Sequence, residues 1–346
     1  GYYERKKQYD KAIDTLDDAI RVNPRDAAAL ELKGEIYRSK KDYKRAIKAF
    51  NELEAINPQT GLREIISTYL INRDYKGALK KLERELKENP ERLDFMAEMS
   101  RIYVAMGETQ KAFETARKII SKKPDSAYGY IVLASIYTNQ NDLNSAIDTL
   151  KKGISIDDKN LLANQMLGDL YSHKKDYALA LNTYSNILKK KPDFLPAVFA
   201  QGTTYDMMGK KKEAIDKYRY ILEKSENDVP TLNNLAYVLA SGYGNREEAL
   251  QLAFKSYKFA PNNPAVMDTL GYVLYKNGRQ DEARKILEKA VSLVPDNSSM
   301  RYHLALSYKA IGDTEKARDQ LVKALNKKDF AEYEEASRLL KNMKKK

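Results

Sequence analysis

Leu167-Gly168-Asp169-Leu170-Tyr171, followed nine residues after the tyrosine by Ala180 and twelve later by Pro192, is the stretch whose reading decides the fold. The same grouping recurs along the chain. Its alanine stands at Ala12, Ala46, Ala78, Ala112, Ala146, Ala180, Ala214, Ala249, Ala283 and Ala317, with successive spacings of 34, 32, 34, 34, 34, 34, 35, 34 and 34. A tyrosine precedes it at Tyr3, Tyr37, Tyr69, Tyr103, Tyr137, Tyr171, Tyr205 and Tyr308, with Leu239 and Leu274 in its place in two repeats. Glycine stands three residues earlier at Gly34, Gly168, Gly202 and Gly271. Proline follows at Pro24, Pro58, Pro90, Pro124, Pro192, Pro261 and Pro295, and Asp158 and Glu226 replace it in two repeats. Intervals this regular define a repeated structural unit.

Within each unit apolar residues fall at i, i+3, i+4 and i+7 in two stretches of about a dozen residues, joined by a short polar or Gly-containing turn. That is a helical hairpin. The small residues let its two helices approach, the Tyr or Leu fills the space beside them, and the proline ends the second helix. One hairpin cannot bury its own faces, so neighbours must stack. The expected fold is all-α, an α-solenoid of about ten hairpins. The pattern closely resembles the tetratricopeptide repeat (TPR), which implies a right-handed superhelix. The repeats run approximately over 1–26, 27–58, 59–92, 93–126, 127–160, 161–194, 195–228, 229–263, 264–297 and 298–325.

With the alanine counted as position 20, Gly1 falls at position 9, so the first helix is cut and the sequence reads as a piece of a longer repeat protein. At the other end, residues 330–340 form an amphipathic run with Asp329 as its N-cap, which reads as a capping helix, and Lys341 to Lys346 as a basic tail; the segment 326–346 is set apart on this ground. Two irregular steps stand out. The 32-residue step shortens the connection Asn57-Pro58-Gln59-Thr60-Gly61, and the 35-residue step lengthens the turn at Ala240-Ser241-Gly242-Tyr243-Gly244-Asn245. The second is either a tolerated insertion or a binding role for Tyr243.

Composition bounds the chemistry. The 346 residues hold no Cys and no Trp, 15 Gly, 10 Pro and 25 Tyr, which excludes disulfides, Cys-ligated zinc, iron–sulfur clusters and a thiol nucleophile. No apolar run is long enough to span a membrane. His173 and His303 lie about four repeats apart with no ligand spacing, and each reads as a variant of its repeat position. No phosphate-cradling glycine motif occurs. No catalytic residue, metal or cofactor is expected, and the chain reads as non-catalytic.

Function is expected on the concave groove, which in TPR folds is lined mostly by first-helix positions 2, 5, 9, 12 and 13. The early repeats place the mixed charges Glu31, Glu35, Arg38, Arg63 and Arg101 there. The middle repeats place Tyr128, Asn139, Gln165, Asp169, His173, Phe199, Asp206 and Met207, and the late ones Asn233, Tyr237, Asp268, Tyr272, Tyr275, Lys276 and Tyr302. Tyrosine joins a large rigid area to a hydroxyl, which suits an extended peptide or a glycan. These tyrosines either receive a partner or pack between neighbouring helices. TPR clamps for acidic chaperone tails carry Asn in the first helix, whereas position 9 here reads Glu35, Ser67, Arg101, Ser135, Asp169, Thr203, Tyr237, Tyr272 and Leu306, so that clamp is not expected.

The net charge of +12 sits elsewhere. Lys6-Lys7, Lys40-Lys41 and Lys174-Lys175 fall in the turns between helices, Lys210 to Lys212 just beyond one, and Lys122-Lys123 and Lys189 to Lys191 at second-helix ends. Nucleic-acid binding would interleave such charges with stacking aromatics, so it is not the expected role; the lysines are a solvated edge or attract an anionic surface or polymer such as a polysaccharide.

Asn233-Asn234-Leu235-Ala236-Tyr237, Ala260-Pro261-Asn262-Asn263-Pro264, Asp268-Thr269-Leu270-Gly271-Tyr272 and Tyr302-His303-Leu304-Ala305 resemble the C-terminal repeats of bacterial exported TPR proteins of exopolysaccharide and PEP-CTERM/exosortase systems. Tyr272 stands where those have Trp. The resemblance implies a periplasmic or envelope-associated scaffold that binds a protein or extended peptide. Self-association through a repeat face, and a cytoplasmic location, are the alternatives.

Overall fold

The computed structural model describes residues 8–343. Among them are twenty α-helices and no strand, in two compact units that meet in sequence at Ala163 and Asn164. The first unit opens with α1 (Tyr9–Val22). Four hairpins follow, α2 (Ala27–Ser39) with α3 (Tyr43–Glu54), α4 (Pro58–Ile71) with α5 (Tyr75–Glu88), α6 (Leu93–Ala105) with α7 (Thr109–Lys122), and α8 (Tyr128–Asn139) with α9 (Leu143–Ile156). Then come α10 (Leu161–His173) with α11 (Tyr177–Lys190), α12 (Leu195–Met207) with α13 (Lys211–Lys224), α14 (Val229–Val238) with α15 (Arg246–Phe259), α16 (Pro264–Lys276) with α17 (Gln280–Leu293), and α18 (Ser298–Ala310) with α19 (Thr314–Ala324). A last helix, α20 (Tyr333–Met343), stands alone. Tyr3 and Lys6-Lys7 lie outside the described residues, as do Lys344 to Lys346.

The repeat's signature residues are its core. The nine alanines from Ala46 to Ala317 at position 20 are 0% exposed. Glycine at position 8 admits a large side chain from the facing helix: a Cβ on Gly34 would lie 2.3 Å from Phe50, one on Gly168 2.4 Å from Tyr184, and one on Gly271 2.4 Å from Leu287. Second-helix starts are fixed by side chains. Asp42, Asp74, Asp142 and Asp313 each accept a hydrogen bond from the backbone N–H three residues on, as N-caps do.

Both irregular steps are absorbed locally. α3 ends two residues short of the usual second helix, which has 14 residues, and Pro58 becomes the first residue of α4 instead of closing the repeat before it. This brings α4 so close to α3 that a Cβ on Gly61 would meet the Glu54 backbone at 2.3 Å. The extra residue of the 35-residue step is taken up in one π-turn, Leu239–Tyr243, continuous with α14 and broken by Gly242 at φ 105°. Tyr243 is exposed there, with the Lys211 ammonium 5.9 Å from its ring centre.

The capping segment differs from the sequence reading at its start. α20 begins at Tyr333, four residues beyond Asp329, because Phe330 turns into an apolar cluster with Ala305, Leu321, Ala336, Leu339 and Leu340.

Candidate functional site

The first helices of the last three hairpins, α14, α16 and α18, carry the late tyrosines. Their starts are set by Asp228, Asn263 and Asn297, which accept from the N–H groups of Thr231, Ala265 and Met300 at 3.0, 2.9 and 3.0 Å. With those registers fixed, Tyr237 of α14 lies against Tyr272 of α16, ring centres 5.0 Å apart. The His303 ring of α18 sits 4.6 Å from Tyr272, 6.1 Å from Tyr237 and 5.8 Å from Tyr302. Separations of this size are favourable for tilted aromatic pairs. The Lys276 ammonium stands 5.6 Å from the centre of the Tyr272 ring.

Asp268 reaches the same cluster. Its Oδ1 is 2.9 Å from Nδ1 of His303, whose side chain is 2% exposed. Burial alone would lower the His303 pKa; the neighbouring Asp268 and Glu332 carboxylates outweigh it and hold the imidazole above its usual value. Glu332 comes from the turn before α20 and accepts a hydrogen bond from the Tyr237 hydroxyl at 3.0 Å and another from Ser299 at 2.9 Å. Burial raises the hydroxyl pKa of Tyr237 and Tyr275, and it pushes Tyr302 up to about 12 with help from Glu335, Tyr272 and Glu332. These hydroxyls therefore remain protonated donors across the physiological range.

Of the groove residues read from the register, Tyr237, Asp268, Tyr272 and Tyr302 meet around His303, and Tyr275 is half-buried on the next turn of α16. The others form smaller groupings. Asp169 accepts from Tyr184 at 2.7 Å and from Gln165 at 3.0 Å, Phe199 packs on Tyr218 with ring centres 5.9 Å apart, and Asp206 pairs with Lys211. Asn233 is half-buried, its Oδ1 enclosed without a hydrogen bond. Tyr128 belongs to the first unit, half-buried, and its hydroxyl pKa is raised by burial and by Asp94 and Glu98. Register reasoning did not reach His303, Ser299 or Glu332. Ser299 holds position 2, a groove position, and was legible; His303 at position 6 lies outside the expected set, and Glu332 lies beyond the repeats.

The early charges satisfy one another. Arg38 donates to Glu64 at 2.7 Å, and Arg63 is 3.1 Å from Glu64 and 3.9 Å from Glu31. Beside them a cleft of about 830 Å³ opens between α4 and α6, floored by Leu62, Ile66 and Phe95. Among the described residues no group of three or more His, Asp and Glu could hold a metal ion, and no helix is long and apolar enough to cross a membrane. The lysines of the turns and helix ends are exposed, apart from half-buried Lys211.

Comparison with known proteins agrees with this architecture. Tetratricopeptide-repeat models match residues 2–59, 69–136, 127–160 and 274–342, together more than half of the chain. A TPR repeat-containing protein of Pseudomonas aeruginosa is 26% identical over 110 residues, 32% of this chain and 19% of that protein, so the match spans only about a fifth of its length. Among solved structures, a chain of the APC/C hetero-tetramer Cut9–Hcn1 superposes with a TM-score of 0.62 at 16% identity, covering 92% of this chain and 76% of that one. A tetratricopeptide repeat protein from Parabacteroides merdae gives 0.53 at 16% identity over 71% and 97% of the two chains. Yeast Tom70 gives 0.52 at 14% over 99% and 93%. At these identities the likeness is one of fold.

Proposed function

The chain belongs to the tetratricopeptide-repeat family, and on that footing we propose that it is a non-catalytic scaffold that holds an extended segment of a partner protein against the aromatic face of α14, α16 and α18. Repeats of this family generally mediate protein–protein interactions. The observation that carries the reading is the Tyr237–Tyr272–His303–Tyr302 cluster, in which three neighbouring first helices bring large rigid rings and hydroxyl donors together. Aromatic anchors of this kind dominate binding energy at interfaces. The fold itself leaves the partner open.

The setting proposed for this scaffold is a bacterial envelope or export assembly. It is supported by the likeness of residues 233–305 to exported bacterial repeat proteins. Polysaccharide contact through the lysine edges and self-association are further possibilities of the same surface inventory, and neither accounts for the tyrosine cluster.

Selection of a randomised peptide display library on the immobilised protein tests the reading. Selected peptides are expected to lose at least tenfold in affinity, about 1.4 kcal/mol, when Tyr272 and Tyr302 are replaced by Ala in a variant whose thermal melt is retained. Undiminished binding by that variant would remove the face from consideration.

A further inference from the structure

Glu332 stands where a ligand would. Its Oε1 accepts from the Tyr237 hydroxyl at 3.0 Å and its Oε2 from Ser299 at 2.9 Å, while Nε2 of His303 lies 4.0 Å from Oε1. The contact joins residues 95 positions apart, so nothing in the repeat register requires it. Nδ1 of His303 is engaged with Asp268, which leaves Nε2 enclosed without a hydrogen-bond partner in a ring only 2% exposed and close to the carboxylate. Phe330, Ala336, Leu339 and Leu340 already fasten this segment to Ala305 and Leu321 through apolar contact. A carboxylate held at 17% exposure adds a desolvation penalty that this packing does not require, so its fit to two hydroxyls beside an imidazole marks a site built for this group.

We propose that the late-repeat face is a carboxylate-binding site which the resting chain fills with its own Glu332, and that a partner segment enters by putting an Asp or Glu side chain in its place. The proposal rests on the reading of this face as the partner surface. Its donors are uncharged hydroxyls and a histidine, unlike a clamp built from lysines and asparagines. A ligand carried in cis acts at high effective concentration, so it weakens every competitor until the turn 330–332 lifts away. Asp268 and Glu332 face the imidazole from α16 and from the turn before α20, with the rings of Tyr237, Tyr272 and Tyr302 around it. Protonation of His303 between the two carboxylates tightens the resting contact.

The test uses the full chain and two capped synthetic peptides, one of residues 329–333 and one identical but with Gln for Glu at its fourth place. Binding is followed by NMR at Tyr237 and His303. In the Glu332→Ala chain the Glu peptide is expected to bind at least tenfold more tightly than it does to the unaltered chain, and at least tenfold more tightly than the Gln peptide. Equal affinity for the two peptides overturns the proposal while leaving the face a partner surface. Failure of these peptides and of every display-selected peptide to perturb α14, α16 or α18 removes both. Should Glu332→Ala unfold, Glu332→Gln carries the same test with the same two peptides: the Glu peptide is expected to bind at least tenfold more tightly than the Gln peptide, and equal affinity overturns the proposal.

Discussion

Position 15, in the turn between the two helices, takes the left-handed backbone in eight hairpins, whether glycine or another residue occupies it. Gly107, Gly209, Gly278 and Gly312 have φ of 75, 75, 75 and 84°, and Lys41, Arg73, Asn141 and Lys175 have 60, 58, 61 and 65°. A side chain there carries a steric penalty of about 1 kcal/mol that glycine avoids. Arg73→Gly and Lys175→Gly are therefore expected to raise stability by about 0.5–1 kcal/mol each, and Gly278→Ala to lower it by about 1 kcal/mol, read from urea midpoints. The buried histidine gives a pH dependence of fixed sign. His303 has its folded pKa raised by Asp268 and Glu332 despite burial, so its contribution is complete below the unfolded value near 6.5 and is lost as pH rises through the folded value. Thermal melts of the unaltered chain should thus fall over that window relative to His303→Gln; parallel profiles would contradict the assignment. At this scale the sequence was legible where register decides. Tyr237, Asp268, Tyr272 and Tyr302 were found by position, whereas Glu332 was hidden because it lies beyond the repeats and one of its partners, Tyr237, stands three hairpins back in the chain.

Helix existence was readable from the apolar period, and helix ends were less so where a step departs from 34 residues. Pro58 stands twelve residues after Ala46 like the closing proline of its repeat, yet two residues are missing after it, and the ring's fixed φ suits the first turn of α4 equally well. Gly61 is the consequence: with α3 and α4 drawn together, Gly61→Ala has the Glu54 backbone in its way, which cannot swing aside like a side chain. A loss of about 1–3 kcal/mol is expected, with exchange protection falling first in α3 and α4. The 35-residue step was legible as an insertion, but its form as a π-turn was not, since the extra residue leaves the flanking apolar pattern intact. The start of α20 was misplaced for a similar reason: Asp329 has the right chemistry for a cap, and the burial of Phe330 together with the Glu332 contacts outweighs it.

Over the whole molecule, lysines and aromatic rings meet singly at the turns, as Lys191 with Phe194 and Lys211 with Tyr243, whereas the rings cluster on the late face. Lysines crowd the turns and second-helix ends, and the late aromatic face holds Asp268, His303 and Lys276 among its rings. A partner held on that face should change affinity by less than about threefold between 50 and 500 mM salt, whereas capture through several lysines would fall by orders of magnitude. Each compact unit is stabilised by nearest-neighbour stacking, so local substitutions should be felt chiefly in their own and adjacent hairpins. Hydrogen–deuterium exchange of the full chain with and without a display-selected peptide tests the partner-surface claim most directly. Protection is predicted within residues 229–238, 264–276 and 298–310, together with faster exchange at the start of α20 as the resident carboxylate is displaced. Protection confined to the lysine-bearing turns and second helices, with 229–310 otherwise unchanged, would contradict it.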